Sequence, residues 1–178
     1  LRVASRYPFR LAPELPALSD VDHLLQLSKA KMKEGYDYVV CLLDMDRLNS
    51  VPAEMKKYQV FKNRKENKGI MFIETNPCTE FWFLLHFLPT LQVKHYTSYE
   101  QLLPELQRYM PGYEKTKKYF VRTKLYDFLV RYGNLDNAKK NGEALSELAA
   151  LHPEDRIAYS QVTKVLRLLE HLKSENIR

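Results

Sequence analysis

Long hydrophobic runs are missing from this chain of 178 residues, and their absence argues against a membrane-spanning protein. The longest apolar stretch, Phe81–Leu88, falls far short of the roughly 18 residues that a transmembrane helix requires. No basic segment followed by an apolar one marks a secretory signal peptide. We therefore predict a cytoplasmic protein without a membrane partner.

Cysteine is also scarce, since only Cys41 and Cys78 occur and both lie among apolar residues. No CxxC pair and no Cys/His spacing typical of a zinc site is present. The two thiols are therefore predicted to be buried and unpaired, as is usual in a reducing cytosol. The hydrophobic fraction of 45% is ordinary for a folded domain and argues against disorder.

Signature motifs of several common enzyme classes are absent too. The chain has no GxGxxG or GxxxxGK[ST] phosphate-binding loop, no GxSxG nucleophile elbow and no HExxH zinc motif. Positive charge, by contrast, is in excess, with 28 Lys and Arg against 22 Asp and Glu. This excess permits a polyanionic partner such as DNA or RNA without requiring one.

The most informative feature is the pair Asp44 and Asp46, which follows the apolar run Tyr36–Leu43. Such a run predicts a strand buried on both faces, and ligands of parallel sheets bind beyond the carboxyl ends of strands. Along an extended chain both aspartates would point the same way. Their hard oxygen atoms favour Mg2+ or Mn2+ between them. An ordinary solvated turn, where Asp is common, is the alternative.

Neighbouring segments extend this strand into a βαβ unit. The apolar stripe over residues 51–67 predicts a helix, and Ile70–Ile73 predicts a second buried strand. A strand, a helix and a strand with short connections predict two parallel neighbours. Because two strands do not make a stable sheet, we expect Val3–Leu11, or residues preceding Leu1, to supply others. The chain lacks an initiating Met, so the N-terminal part of this core is expected to be missing.

Glu80 is a third acidic candidate. Asn76 is predicted to cap a helix that starts with Pro77, directly after the second strand. Glu80 would then lie in the first turn, close to the aspartate pair, either as part of their site or only as a favourable helix-start charge. His86, surrounded by apolar residues, is more simply interpreted as a buried, hydrogen-bonded histidine than as a catalytic base.

The remainder of the chain is predicted to be helical, which divides it into an α/β core over residues 1–90 and a helical subdomain over 91–178. Cations and aromatic rings alternate between Tyr113 and Tyr126. This alternation suits nucleic-acid binding, but a helix with one solvated and one buried face gives the same pattern. The candidate nucleic-acid-binding residues are Lys62, Arg64, Lys65, Lys115, Lys117 and Lys118.

Two segments carry a family resemblance: YDYVVCLLDMD at Tyr36–Asp46 and ETNPCTEFWFLLHF at Glu74–Phe87. They resemble the RloB family of bacterial proteins, found beside restriction-modification and abortive-infection loci, to which the AbiLii phage-resistance proteins are similar. The resemblance covers roughly Asp20–Leu172. Tyr113 and Lys115 lie where this family usually has a Tyr-x-Lys motif.

The resemblance implies a Toprim-like parallel sheet core followed by a helical C-terminal part. In Toprim folds a Glu after the first strand and an Asp-x-Asp after a later one bind Mg2+, and Asp44 and Asp46 match that Asp-x-Asp. Glu80 lies in the family's characteristic string as a further acid. The chain departs from the family in lacking the N-terminal strand with its Glu, and in having Thr79 and Arg47 where other residues are usual.

The function implied by the resemblance is that of a metal-dependent nuclease-like effector in a bacterial anti-phage system, cleaving DNA or RNA. Asp44, Asp46 and Glu80 are its expected catalytic residues, with Asp44 and Asp46 as metal ligands. An upstream Glu is expected to complete the site, and a partner protein of the defence system is expected. The alternative is a non-catalytic nucleic-acid-binding or regulatory subunit of a defence complex.

Overall fold

The fold is a small sheet with many helices, seen in a computed structural model that describes Phe9, residues 11–14 and residues 20–175. Within this part of the chain the strands are β1 (Val39–Asp44), β2 (Ile70–Asn76) and β3 (Tyr159–Ser160), in the order β1-β2-β3. The helices are α1 (Val21–Lys33), α2 (Met45–Ser50), α3 (Pro52–Lys62), α4 (Glu80–Leu85), α5 (Tyr99–Tyr109), α6 (Lys117–Thr123), α7 (Leu125–Tyr132), α8 (Leu135–Leu151) and α9 (Val162–Glu175). A mixed α/β fold, largely helical, is therefore confirmed.

The sheet contains both predicted strands and one more. β1 and β2 are neighbours whose carboxyl ends lie together, because the Thr75 hydroxyl donates a hydrogen bond of 3.1 Å to the Leu43 carbonyl oxygen. β3 pairs antiparallel with β2, with Thr75 opposite Ser160. The prediction that the chain is all-helical after residue 90 is wrong here. Two residues are too few to show the alternation by which a strand is recognised. The predicted Val3–Leu11 strand lies largely outside the described residues.

β1 is shorter and more exposed than predicted. Tyr36 and Tyr38 precede it and are exposed, and Leu42 within it is 52% exposed. Only one face is buried, through Val39, Cys41 and Leu43. β1 stands at the end of the strand order, whereas β2 lies between two neighbours and is buried along nearly its whole length. The prediction that β1 is buried on both faces is therefore wrong.

The chain becomes helical directly after β1, earlier than the sequence indicated. α2 begins at Met45, so Asp46 lies in a helical turn and not in extended chain. The argument from strand alternation that gave Asp44 and Asp46 the same direction is therefore wrong. The N–H groups of Met45 and Asp46 donate to the Pro77 carbonyl oxygen at 2.9 and 2.8 Å, which fixes the start of this helix.

The helix that carries Glu80 begins later than predicted. Asn76 is the last residue of β2, and the peptide bond to Pro77 is cis. The buried Asn76 amide donates to the Ile157 carbonyl oxygen at 2.8 Å, and its oxygen accepts from the Asn49 amide at 3.0 Å. The prediction that Asn76 caps α4 is wrong because these tertiary contacts use its side chain. Glu80 nevertheless lies in the first turn, as expected.

The chain forms two compact units. One takes residues from 1–41, 51–73 and 164–178, and the other from 42–50 and 74–163. The division at residue 90 that the sequence suggested stays a prediction.

In the first unit, α1 packs against α3. The Asp20 carboxylate caps α1 by accepting a hydrogen bond of 3.0 Å from the His23 N–H. Tyr58 of α3 and Phe72 of β2 meet edge to face, with ring centroids 5.5 Å apart. The helix predicted over residues 51–67 is α3 followed by a short 3-10 turn.

In the second unit, α4 packs against α5 and α8. Its core includes the fully buried Phe81, Leu84 and Leu85 of α4, Leu102 and Leu106 of α5, and Leu145 of α8. His86 is buried beside them, and its Nδ1–H donates to the Trp82 carbonyl oxygen at 2.9 Å. Burial lowers the pKa of His86. These contacts agree with the interpretation of a buried, hydrogen-bonded histidine.

The cysteine prediction is confirmed, because Cys41 and Cys78 are both buried and unpaired. Burial raises the pKa of the Cys41 thiol to about 11 and that of Cys78 further. Among the described residues, none of the helices has the length and apolar character needed to cross a bilayer.

Substitution of Gly133 tests how closely the residues at the end of α7 are packed. A Cβ atom at this position would lie 2.7 Å from both the His86 Cβ and the Leu129 carbonyl oxygen, neither of which is easily displaced. We expect Gly133→Ala to lower the free energy of unfolding by about 1–3 kcal/mol, measured by urea denaturation. Gly69→Ala is the control, because its new methyl group would meet only the mobile end of the Met32 side chain. Equal stability losses in both variants would contradict this account.

Candidate carboxylate site

The candidate site lies where β1 and β2 end, in the second unit. Asp44 is the last residue of β1, and Glu80 is the first of α4. The turn between β2 and α4 is held beside the end of β1, because the Pro77 carbonyl oxygen accepts the first two N–H groups of α2. This connection brings acidic residues that are distant in the sequence into one place.

The two oxygen atoms of Asp44 have different surroundings. Oδ1 accepts hydrogen bonds from the Thr79 N–H at 2.8 Å and the Thr79 hydroxyl at 2.8 Å, and it shares the single proton of the Thr75 hydroxyl, 3.1 Å away, with the Leu43 carbonyl oxygen. Oδ2 faces the Lys115 ammonium at 3.2 Å. Oδ1 is therefore committed to holding the turn, and Oδ2 is the oxygen that points to a cation.

Glu80 is almost completely buried, with 2% of its surface exposed. Its Oε1 accepts a hydrogen bond of 2.9 Å from the Tyr113 hydroxyl, and both of its oxygen atoms lie 3.4 Å from the Lys115 ammonium. Burial, followed by the nearby Glu80 charge, raises the pKa of Tyr113, so its hydroxyl stays protonated and donates. A buried carboxylate without such partners would be strongly unfavourable.

Lys115 connects the two carboxylates. Its ammonium contacts Asp44 and Glu80 and lies 5.6 Å from the centre of the Tyr99 ring, which adds a cation–π contact. Partial burial opposes its charge, but Glu80 and Asp44 outweigh burial and raise the pKa of Lys115. Lys115 is therefore a stable cation at the position where the two acidic side chains converge.

Asp46 lies beside this group on α2. Its Oδ1 accepts a hydrogen bond of 2.6 Å from the Arg47 N–H. Partial burial is the main cause that raises the pKa of Asp46; the Arg47 N–H opposes it and the negative charge of Asp44 reinforces it. Asp46 therefore adds negative charge near the site. Lys115 acts on Asp46 through its charge, whereas it forms an ion pair with Asp44 at 3.2 Å.

The donor set suits a divalent cation in its chemistry, since Asp44 Oδ2 and Glu80 Oε2 are hard oxygen atoms that face one cationic position. Lys115 fills that position. In the described part of the chain, three or more potential ligand atoms within 4.8 Å of one another occur only at the exposed His152, Glu154 and Asp155. Asp44, Asp46 and Glu80 do not form such a set in this arrangement. A bound metal would therefore require Lys115 to move aside.

The predicted nucleic-acid-binding residues fall into separate groups. Lys62, Arg64 and Lys65 are exposed in the first unit, where the Lys62 ammonium lies 5.5 Å from the Tyr58 ring centre. Lys117 and Lys118 are exposed on α6 in the second unit. Lys115, grouped with them by sequence, instead contacts the carboxylates.

Sequence reasoning missed the local role of the two threonines. Thr79 counted only as a departure from the family pattern, yet its N–H and hydroxyl both hold Asp44. Thr75 drew no attention. The Tyr-x-Lys motif at Tyr113 and Lys115 was the sequence signal that could have pointed to the partners of Glu80.

Asp44 and Asp46 differ in the hydrogen bonds that they accept, and this difference can be tested by measuring stability. We expect Asp44→Ala to lower the free energy of unfolding by about 2–3 kcal/mol, because the Thr79 N–H and the Thr79 hydroxyl lose their acceptor, whereas the Thr75 hydroxyl keeps the Leu43 carbonyl oxygen. Asp46→Ala is the matched control and should change stability by less than about 1 kcal/mol. Chemical denaturation monitored by circular dichroism measures both. A smaller loss for Asp44→Ala than for Asp46→Ala would refute the structural role of Oδ1.

Comparison with known proteins agrees with the resemblance carried by the two motif segments. The family described as RloB-like protein matches residues 13–172, most of the chain. No curated protein and no solved structure matches. The matched range contains Asp44, Asp46, Glu80, Tyr113 and Lys115, and the chain belongs to the RloB-like protein family.

Proposed function

We propose that this chain is a nuclease-like effector of a bacterial anti-phage system, which uses Mg2+ or Mn2+ to cleave phosphodiester bonds in DNA or RNA in the cytoplasm. One observation carries the proposal. Asp44 and Glu80 direct carboxylate oxygen atoms to a single cationic position beyond the carboxyl ends of two neighbouring strands, 3.2 and 3.4 Å from the Lys115 ammonium. A Toprim-like core is part of this proposal.

The side chains of the site have separable tasks. Thr75 and Thr79 fix the direction of Asp44, and Tyr113 fixes that of Glu80, so both carboxylates are preorganised. Asp46 supplies further negative charge for a cation. When bound, the metal supplies Lewis acidity that polarises the phosphodiester and lowers the pKa of an attacking water.

The substrate side of the proposal depends on exposed cations and rings. Lys117 and Lys118 are exposed at the start of α6, where ammonium groups suit contacts with phosphates. Burial removes Tyr113 and Tyr119 from such a role, whereas Tyr126 is 78% exposed and offers a face for base stacking. Lys62, Arg64 and Lys65 are exposed cations of the first unit. Nucleic acid is therefore the proposed substrate, with a defence-system protein as proposed partner.

A non-catalytic role is the second candidate, and one observation favours it. Lys115 balances one of the two negative charges of the acidic pair from within the chain, and Asp44 Oδ1 already accepts hydrogen bonds from Thr79 and Thr75. Such a cluster is partly balanced without a metal. It would suit a nucleic-acid-binding or regulatory subunit of a defence complex that keeps the fold without turnover.

A cleavage assay separates the two candidates. The full-length protein should cut plasmid DNA or total tRNA with Mg2+ or Mn2+ and lose that activity in EDTA. We expect Asp44→Asn and Glu80→Gln each to lower the cleavage rate about a hundredfold or more while circular dichroism shows an unchanged fold. Asp136→Asn, at an exposed position of α8, is the charge-matched control and should retain wild-type rates.

Two results would contradict catalysis at the Asp44 and Glu80 site. Activity at the wild-type level in Asp44→Asn or Glu80→Gln would place cleavage elsewhere or in a contaminant. Tight binding of DNA or RNA, measured by fluorescence anisotropy, with no cleavage under any metal condition would support the non-catalytic candidate.

A further inference from the structure

Lys115 belongs to a loop whose side chains contact Asp44 and Glu80. The loop runs from the end of α5 to the start of α6, and it supplies both the Tyr113 hydroxyl and the Lys115 ammonium to Glu80. Tyr113 is anchored, being 1% exposed and in edge contact with the Phe83 and Tyr119 rings. Lys115, two residues further on, is half exposed at 50%. The loop thus combines a fixed anchor with a side chain that has access to solvent.

The ammonium and a divalent cation would need the same oxygen atoms. Lys115 lies within 3.4 Å of Asp44 Oδ2 and Glu80 Oε2, the oxygen atoms that face the proposed metal position. A divalent ion bound there would repel the ammonium strongly at such short range. The flexible four-carbon stem of lysine lets the charge move away without backbone change. Occupancy by Lys115 and by metal is therefore mutually exclusive.

We propose that Lys115 is a displaceable counter-cation: it balances one of the two negative charges of the Asp44–Glu80 pair in the metal-free protein and leaves when a divalent cation binds. The inference rests on the metal site of the proposed function. As a consequence, Lys115 lowers the affinity of the site for metal. The metal binds only when its concentration is high enough to displace the ammonium, or when a substrate attracts the ammonium away from the carboxylates.

Metal binding to variants tests the competition directly. Mn2+ affinity is measured by calorimetry and by electron paramagnetic resonance on the full-length protein, without reference to activity. We expect Lys115→Met to bind Mn2+ up to about fivefold more tightly than wild type, because a partly exposed ion pair shifts an equilibrium by at most about that factor. Lys115→Arg keeps the charge and should not gain affinity. Lys140→Met, at an exposed position of α8, controls for the lost positive charge.

Wild-type protein provides a second measurement that needs no variant. Acetylation of individual lysines is followed by mass spectrometry, and saturating Mg2+ should raise the labelling rate of Lys115 while that of Lys140 stays constant. Unchanged or slower labelling of Lys115, or no gain in Mn2+ affinity in Lys115→Met beyond Lys140→Met, overturns the inference. Tighter Mn2+ binding by Lys115→Met in a protein that cleaves nothing would uphold the counter-cation and sink only the nuclease proposal.

Discussion

The burial of the Glu80 carboxylate is the constraint on which the site depends. With 2% of its surface exposed, this acidic group has lost nearly all contact with water and must find partners within the chain. Tyr113 and Lys115 provide them, and both come from the loop that follows α5. The Glu80 charge also contributes, with the burial of Tyr113, to raising the pKa of that hydroxyl, and with Asp44 it raises the pKa of Lys115. Asp44 joins the arrangement because Lys115 reaches it as well.

Asp44 shows how structural and functional tasks divide within one side chain. Its Oδ1 ties the end of β1 to Thr75 and Thr79, and its Oδ2 faces the cation. The same residue thus closes the turn and faces Lys115, because the hydrogen bonds to its first oxygen atom fix the direction of the second. A divalent cation would need the position that the Lys115 ammonium holds between these acids.

Local signals in the sequence predicted the helices well, and they failed where tertiary contacts competed. Most of the chain after residue 90 is helical, as predicted, in α5 to α9. α8 begins where the Asn134 side chain accepts a hydrogen bond of 2.9 Å from the Asn137 N–H, a cap formed by groups within a few residues. Asn76 has the same capping chemistry, but its amide is used by Ile157 and Asn49, so α4 begins later. Asp46 was predicted to lie in extended chain because no signal in the neighbouring sequence indicated the helix that starts at Met45.

The sequence by itself determined the family, the place of Asp44 at the end of β1 and that of Glu80 in the helix turn after β2, because motifs and apolar runs are formed by consecutive residues. It could not determine the partners of those acids. Lys115 looked like one more surface cation beside Lys117, and Thr79 looked like a departure from a pattern. Only the tertiary structure decided that Lys115 lies between Asp44 and Glu80, because the energy of burying a carboxylate is balanced by groups that meet it in space, wherever they stand in the sequence.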